Sequence, residues 1–169
     1  MSLSMYQASV PVFVRMLTNL AAILEKGAAY AEEKKIDPSV LLNYRLYPNM
    51  YPLTKQVQIA TDQAKGCAAR LAGQQPPKYD DNEASFPELI ARVKKTIDHL
   101  NTFKPEHIDG SEEKSVTIQI RQQDMTFKGS VYLLNNTLPN VYFHITTAYD
   151  ILRHCGVDVG KKDYLGKFN

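Results

Sequence analysis

Apolar residues recur at three-and-four spacing through four long stretches of this sequence, a period that commits the chain to helices burying one face each. Phe13, Met16, Leu17, Leu20, Ile23, Leu24, Gly27, Ala28 and Ala31 carry it through the first stretch. Pro11 lies near its start, so this helix begins around Ser9 or has an earlier turn from about Ser4 that kinks at the proline; the kinked version is favoured. The second helix starts at Pro52 and presents Leu53, Val57, Ala60, Ala64, Cys67, Ala68 and Leu71 until Gly73 ends it. Its small residues imply a close helix contact. Ser85-Phe86-Pro87-Glu88 is a capping box that opens the third, with Phe86, Leu89, Ile90, Val93, Ile97 and Leu100 inward. Pro105 stops it near Phe103. Ser130 caps the fourth, which buries Leu134, Leu138, Val141, Ile145, Ala148, Leu152 and Cys155, bends at Pro139 and stops at Gly156.

The segments between are less regular. Asp37-Pro38 pairs an N-cap with a first-turn proline and predicts a short helical turn through about Leu42. The connection Tyr44–Pro52, with three tyrosines and Met50, is too apolar for a merely solvated loop and is expected against the bundle or a partner chain. Gln74–Asn82 reads as a loop from its prolines and polarity. From about 115 to 128 the period changes to two, Val116, Ile118 and Ile120 alternating with polar residues before Met125 and Phe127, which predicts a β-hairpin. A lone hairpin is marginal in water, so its apolar side must cap the bundle or meet another subunit. The tail, 157–169, has no period and is expected extended, packed through Tyr164, Leu165 and Phe168. The fold class is mainly all-α: a four-helix bundle with a small hairpin between the third and fourth helices, one domain across 1–169. The long linkers leave room for crossovers.

Composition then excludes several classes. At 169 residues, 44% hydrophobic and 22% charged, the chain has core material for one compact domain. A net charge of +2 provides no basic field for nucleic acid. No apolar run approaches the roughly 18 residues of a membrane span, and the first residues lack a basic region followed by an apolar stretch, so neither membrane insertion nor secretion is expected. Cys67 and Cys155 form no CxxC and suit a reducing cytoplasm.

For chemistry, His144 is the histidine nearest an interior, about 60° from the centre of the fourth helix's apolar face. It is open to three roles: ligand, general base or hydrogen-bonded core residue. On the second helix Gln56 lies about 70° from the apolar centre, Thr61 flanks the other side, and Gln58 and Asp62 point outward. Gln56, Asn140 and His144 are therefore expected to converge on one polar pocket, a hydrogen-bonding set rather than a metal cage, because an amide oxygen is neutral and hard beside imidazole. His154 lies about 15 Å further along the helix, and His99 and His107 read as solvated. Cys67 and Cys155, on inner faces, read as small hydrophobes. Asp80, Asp81 and Glu83 read as a solvated acidic loop favouring a helix N-terminus. Arg45, Tyr47, Asn49 and Met50 read as a pocket wall or, with more weight, a dimer contact. No GxSxG, GxGxxG or Walker A pattern is present.

Ser4-Met5-Tyr6-Gln7-Ala8-Ser9-Val10-Pro11, Pro52-Leu53-Thr54-Lys55-Gln56-Val57-Gln58, Asp81-Asn82-Glu83, Pro139-Asn140-Val141-Tyr142-Phe143-His144 and Ile151–Val157 together resemble an uncharacterised bacterial family over nearly the whole length. That family is similar to the DinB/YfiT-like superfamily of metalloenzymes, four-helix bundles that are commonly dimeric. The resemblance implies a three-histidine metal site, one ligand from the second helix and two, four apart, from the fourth. Here those positions fall on the segment holding Gln56 and Gln58, on Asn140 and on His144, so one histidine of the three remains.

The resulting expectation is a cytoplasmic homodimer that binds a small molecule without metal near Gln56, Asn140 and His144. A rival is a metal- or thiol-dependent transferase or hydrolase in which His144 is catalytic, as base or as ligand to a divalent cation. A third is a protein-interaction module working through the tyrosine-rich connection or the hairpin.

Overall fold

The computed structural model describes residues 3–167. The helix starts and stops written in the sequence account for most of its frame. A hydrogen-bonded turn runs from Ser4, whose carbonyl accepts from Ala8, and breaks at Ser9 (φ −121°, ψ −80°) before helix α1, Val10–Lys34. The kinked entry is thus present, with the break just ahead of Pro11. Asp37 accepts from the Ser39 backbone N–H and opens α2, Pro38–Leu42. Helix α3, Leu53–Leu71, has every predicted inner residue from Leu53 to Leu71 sealed from solvent. Ser85 caps α4, Phe86–Leu100, while the Glu88 carboxylate accepts from the Ala84 N–H at 2.7 Å. Pro105 does more than stop α4: it starts a short helix α5, Pro105–Ile108, that carries His107.

Strands β1, Ser115–Ile120, and β2, Gln123–Lys128, pair antiparallel with Val116 opposite Phe127 and Ile118 opposite Met125. Only the base of the predicted apolar side is sealed. Val116 is buried, Ile118, Ile120 and Phe127 are half-buried, and Met125 at the far end is 43% exposed.

The last long helix departs from its expected form. It begins as α6, Gly129–Val131, with Lys128 rather than Ser130 at the cap; the Ser130 N–H and hydroxyl both donate to the Glu112 carbonyl instead. Residue 129 has to be glycine, since a Cβ there would stand 2.0 Å from the Ser111 carbonyl oxygen. Tyr132–Thr137 then winds as a π-helix, and α7, Leu138–His154, completes the rod. Pro139, which has no N–H to donate, is accommodated by this wider turn, in which the Leu138 N–H reaches back five residues to Leu133. The extra residue shifts the phase, so Tyr132 and Leu133 are buried where Leu134 was expected, and Leu134 is 53% exposed. Cys155 is half-buried. The tail is not simply extended: α8, Lys161–Leu165, lies on α1, held by Asn19 to the Tyr164 carbonyl (2.9 Å) and Lys26 to Asp163 (2.7 Å). Phe168 lies outside the described residues.

In the bundle, α1 packs on α4 and α7, and α3 packs on the same two. Helices α3 and α7 run antiparallel, Gln56 meeting His144 and Arg70 meeting Tyr132. Helices α3 and α4 run parallel, Thr61 facing Arg92 and Lys65 lying near His99. Segment 72–85 must therefore return along the length of the bundle, a crossover rather than a tight turn. Among the described residues no helix is long and apolar enough to cross a membrane.

Candidate functional site

Helices α3 and α7 bring two of the three predicted site residues together. His144 Nδ1 lies 2.6 Å from Gln56 Oε1, and Gln56 Nε2 donates to the Tyr51 carbonyl at 2.9 Å. That second bond orients the amide, so its oxygen faces the ring and the ring nitrogen must donate to it. His144 is thereby held as the Nδ1–H tautomer with a lone pair on Nε2. Gln56 is 1% and His144 8% exposed, and burial holds the imidazole's pKa below its ordinary value. Nε2 has no hydrogen-bond partner among the described residues and is not sealed from solvent. Phe143, 56% exposed, sets its ring edge-on to the imidazole at 5.2 Å.

Asn140 does not join the pair. Its amide nitrogen donates to the Asn136 carbonyl, one turn back on its own rod, at 2.7 Å. His154 stacks at a tilt on Tyr44, ring centroids 5.5 Å apart. Of the Tyr44–Pro52 connection, Tyr44 packs on the core, whereas Tyr47 is 64% and Tyr51 56% exposed. Burial pushes the Cys67 thiol up to about 12, outweighing nearby Thr137 and Arg70, so it remains the inert small hydrophobe expected of it.

The positions matched to the superfamily's metal ligands do not suit a transition metal. They offer one imidazole and two neutral amides, and the Gln56 oxygen already accepts the imidazole proton. Among the described residues no group of three His, Cys, Asp or Glu side chains is arranged to hold an ion. What the pair can do is present a fixed hydrogen-bond acceptor, or a weak base. A glutamine, unlike a carboxylate, supplies no charge to stabilise an imidazolium. Neither His144 nor Gln56 lines the cavities of about 630, 480, 430 and 300 Å³ found among the described residues.

A second polar centre escaped the sequence reading. Arg92 on α4 is 4% exposed, and its guanidinium meets Thr61 Oγ1 (2.8 Å), Asp62 (2.8 Å), Asp81 (3.0 Å), Glu83 (2.9 Å) and the Asp80 carbonyl (3.0 Å). Gln58 donates to Glu83 at 2.9 Å, and Lys55 pairs with Asp81 at 2.6 Å. Gln58 is therefore buried, and Asp62 joins the network; neither simply points outward. The carboxylates of 81 and 83 are not a free acidic run either, because they fasten the crossover to α3 and α4. Lys55, Gln58, Asp81 and Glu83 also line a cavity of about 430 Å³. The available signal was Arg92 itself, three residues after Leu89 and four before buried Thr96, a cation on an inner face that needs buried anions.

The model of a family described as a domain of unknown function, DUF1993, matches residues 5–165. The chain belongs to the DUF1993 family. A crystal structure of a DinB family member protein from Shewanella denitrificans is 45% identical, with a TM-score of 0.88 over 96% of this chain and 92% of that one. No curated protein matches. DUF1993 is thus a DinB-like bundle here, mostly helical with one small antiparallel hairpin, as its residues predicted.

Proposed function

We propose that this DUF1993 chain is a metal-independent ligand-binding bundle whose recognition group is His144 Nε2. The observation that carries the reading is the 2.6 Å contact between His144 Nδ1 and Gln56, which orients a neutral imidazole and leaves its second nitrogen for a ligand's N–H or O–H. Exposed Phe143 adds an aromatic wall. A charge-compensated catalytic base would call for a carboxylate where Gln56 stands, which favours binding over the transferase or hydrolase alternative. Asn140 lies one turn away and belongs to the site only if its amide leaves Asn136.

The test is a metabolite screen followed by calorimetry and by NMR of ¹⁵N-labelled histidine. A supporting ligand moves the His144 Nε2 resonance and loses affinity in His144→Ala and in Gln56→Ala. Ligands indifferent to both substitutions reject the site, and turnover of any substrate abolished by His144→Ala with the fold intact returns the enzyme reading.

A homodimer through the 44–52 connection is the second reading. Leu46, Tyr47 and Tyr51 stand exposed within one short segment, with the partly polar aromatic character of protein interfaces. Sedimentation of the wild type beside Tyr47→Lys tests it: a dimer that becomes a monomer supports this contact, and a species unchanged by the substitution rejects it. The two free thiols, Cys67 buried and Cys155 half-buried, accord with a cytoplasmic location.

A further inference from the structure

The C-terminal half of α3 and the crossover that follows it flank an open cavity of about 480 Å³, with Asp62, Lys65, Gly66, Arg70, Lys78 and Tyr79 among its lining residues. Three of these are cations. Arg70 is half-buried, and among the described residues its hydrogen bonding is limited to Nη1 donating to the Tyr132 hydroxyl at 3.1 Å, one of the five N–H donors a guanidinium carries. Gly66 makes room for it: a Cβ at that position would lie 2.5 Å from Arg70 Nη1. The planar fork is therefore anchored at one corner and laid against the backbone of its own helix, with the remaining donors free for a ligand in the cavity.

Lys65 adds a buried cation, 6% exposed, with Nζ 2.7 Å from Asp62 and 4.7 Å from the centre of the Tyr79 ring. Asp62 is shared with Arg92 at 2.8 Å, so one carboxylate stands between two buried cations. Lys78 is exposed at the rim. Opposing these on the same lining are two carboxylates, Asp62, already paired with Lys65 and Arg92, and the exposed Asp80. The walls, Pro76, Pro77 and the Tyr79 ring, are rigid and partly apolar.

We infer that this cavity is a site for a small organic anion bearing a phosphate or carboxylate group, gripped by Arg70 and assisted by Lys65 and Lys78. A guanidinium with several unpaired donors matches the paired oxygens of such groups in a fork, which a neutral ligand does not repay. The site is separate from His144: it uses the other end of α3, and neither His144 nor Gln56 lines it.

Inorganic phosphate and succinate, titrated separately into the full chain at fixed ionic strength and followed by ¹H–¹⁵N NMR, test the inference and sort phosphate from carboxylate. Saturable shifts at Gly66, Gln75, Lys78 and Tyr79 with either probe are expected. Arg70→Gln should weaken the binding about tenfold or more, Lys78→Gln a few-fold, and Asp80→Asn should strengthen it. Lys78 and Asp80 are exposed, so those two variants remain informative even if the loss of the bond to Tyr132 unsettles Arg70→Gln. His144→Ala should bind as the wild type does. Linear, non-saturating shifts with both probes, or saturable binding indifferent to Arg70, Lys78 and Asp80 alike, would overturn the site.

Discussion

At the scale of single residues, the chain's polar interior rests on two side chains, Gln56 and Arg92. Gln56 links the Tyr51 carbonyl to the His144 ring, so Gln56→Ala leaves a buried ring N–H and a backbone carbonyl without partners. That should cost about 1–3 kcal/mol in a denaturant titration. Gln56→Glu should instead bring the His144 pKa, now held down by burial, back up, because a carboxylate favours the imidazolium; an NMR pH titration reads the direction. Arg92 is the larger stake. Its guanidinium is almost wholly buried among Asp62, Asp81 and Glu83, and Arg92→Met would leave the largely buried Glu83 carboxylate without a cation, with Asp62 held by Lys65 alone and Asp81 by Lys55 alone. A loss of about 3–5 kcal/mol is expected, with faster amide exchange in 76–85. Unchanged exchange there would mean that the crossover is held by something other than this ion network.

Among the elements, the π-helical stretch and the hairpin turn make the sharpest predictions. A π-turn is one residue more than an α-helix needs, so deleting exposed Leu134 should let Tyr132–Thr137 relax to α while the residues on both sides keep their faces. Deleting exposed Thr146 from α7 instead rotates one end of the helix by about 100° against the other and should abolish cooperative melting. Circular-dichroism melts of the two deletions distinguish them, and equal damage in both would contradict this account. At the hairpin, Arg121 (φ 49°) and Gln122 (φ 66°) both occupy the left-handed region, the conformation of a type I′ turn. Arg121→Asn with Gln122→Gly should therefore stabilise the hairpin by about 1 kcal/mol, seen as slower exchange of the β1 and β2 amides.

For the whole molecule, acid should act in two stages. Burial holds His144 below its ordinary pKa, and burial together with Lys65 does the same to His99. As pH falls below about 6.5 the unfolded chain takes up protons on these rings first, so stability declines from there through the folded pKa values. The second stage lies lower. Burial pushes the Asp81 carboxyl up, but Lys55 and Arg92 outweigh it, and the Ala84 N–H and the Ser85 hydroxyl hold Glu88 down. Their stabilisation is present above the ordinary carboxylate range and is lost as pH falls through the depressed values. Stability measured against pH in wild type and in His99→Gln/His144→Gln should show the first stage reduced in the double variant and the second retained.

The helices, their caps and the hairpin were legible because each rests on near neighbours in the sequence. Ser85 and Glu88 satisfy donors within one turn, Asp37 caps the residue two places on, and a change of period marks β1 and β2 without reference to anything distant. The pairing of Gln56 with His144 was legible for a related reason, since two known helical phases put both side chains beside one seam. Asn140 missed it because its amide found an acceptor one turn back on its own rod. The positions of Gln58, Asp81 and Glu83 needed the tertiary structure: a helical wheel measures angle from an apolar centre and does not know that a crossover will lay two carboxylates over that face. The π-turn belongs to the same class, because several phases suit an isolated sequence containing Pro139, and packing against α3 selects the one that buries Tyr132 and Leu133. By itself, then, the sequence determined the bundle, its caps and one half-ordered pair, all through local hydrogen bonds and periodic burial. Only the tertiary structure decided which buried charges found partners and which cations were left facing a cavity, because those energies depend on groups far apart in the chain and close in space.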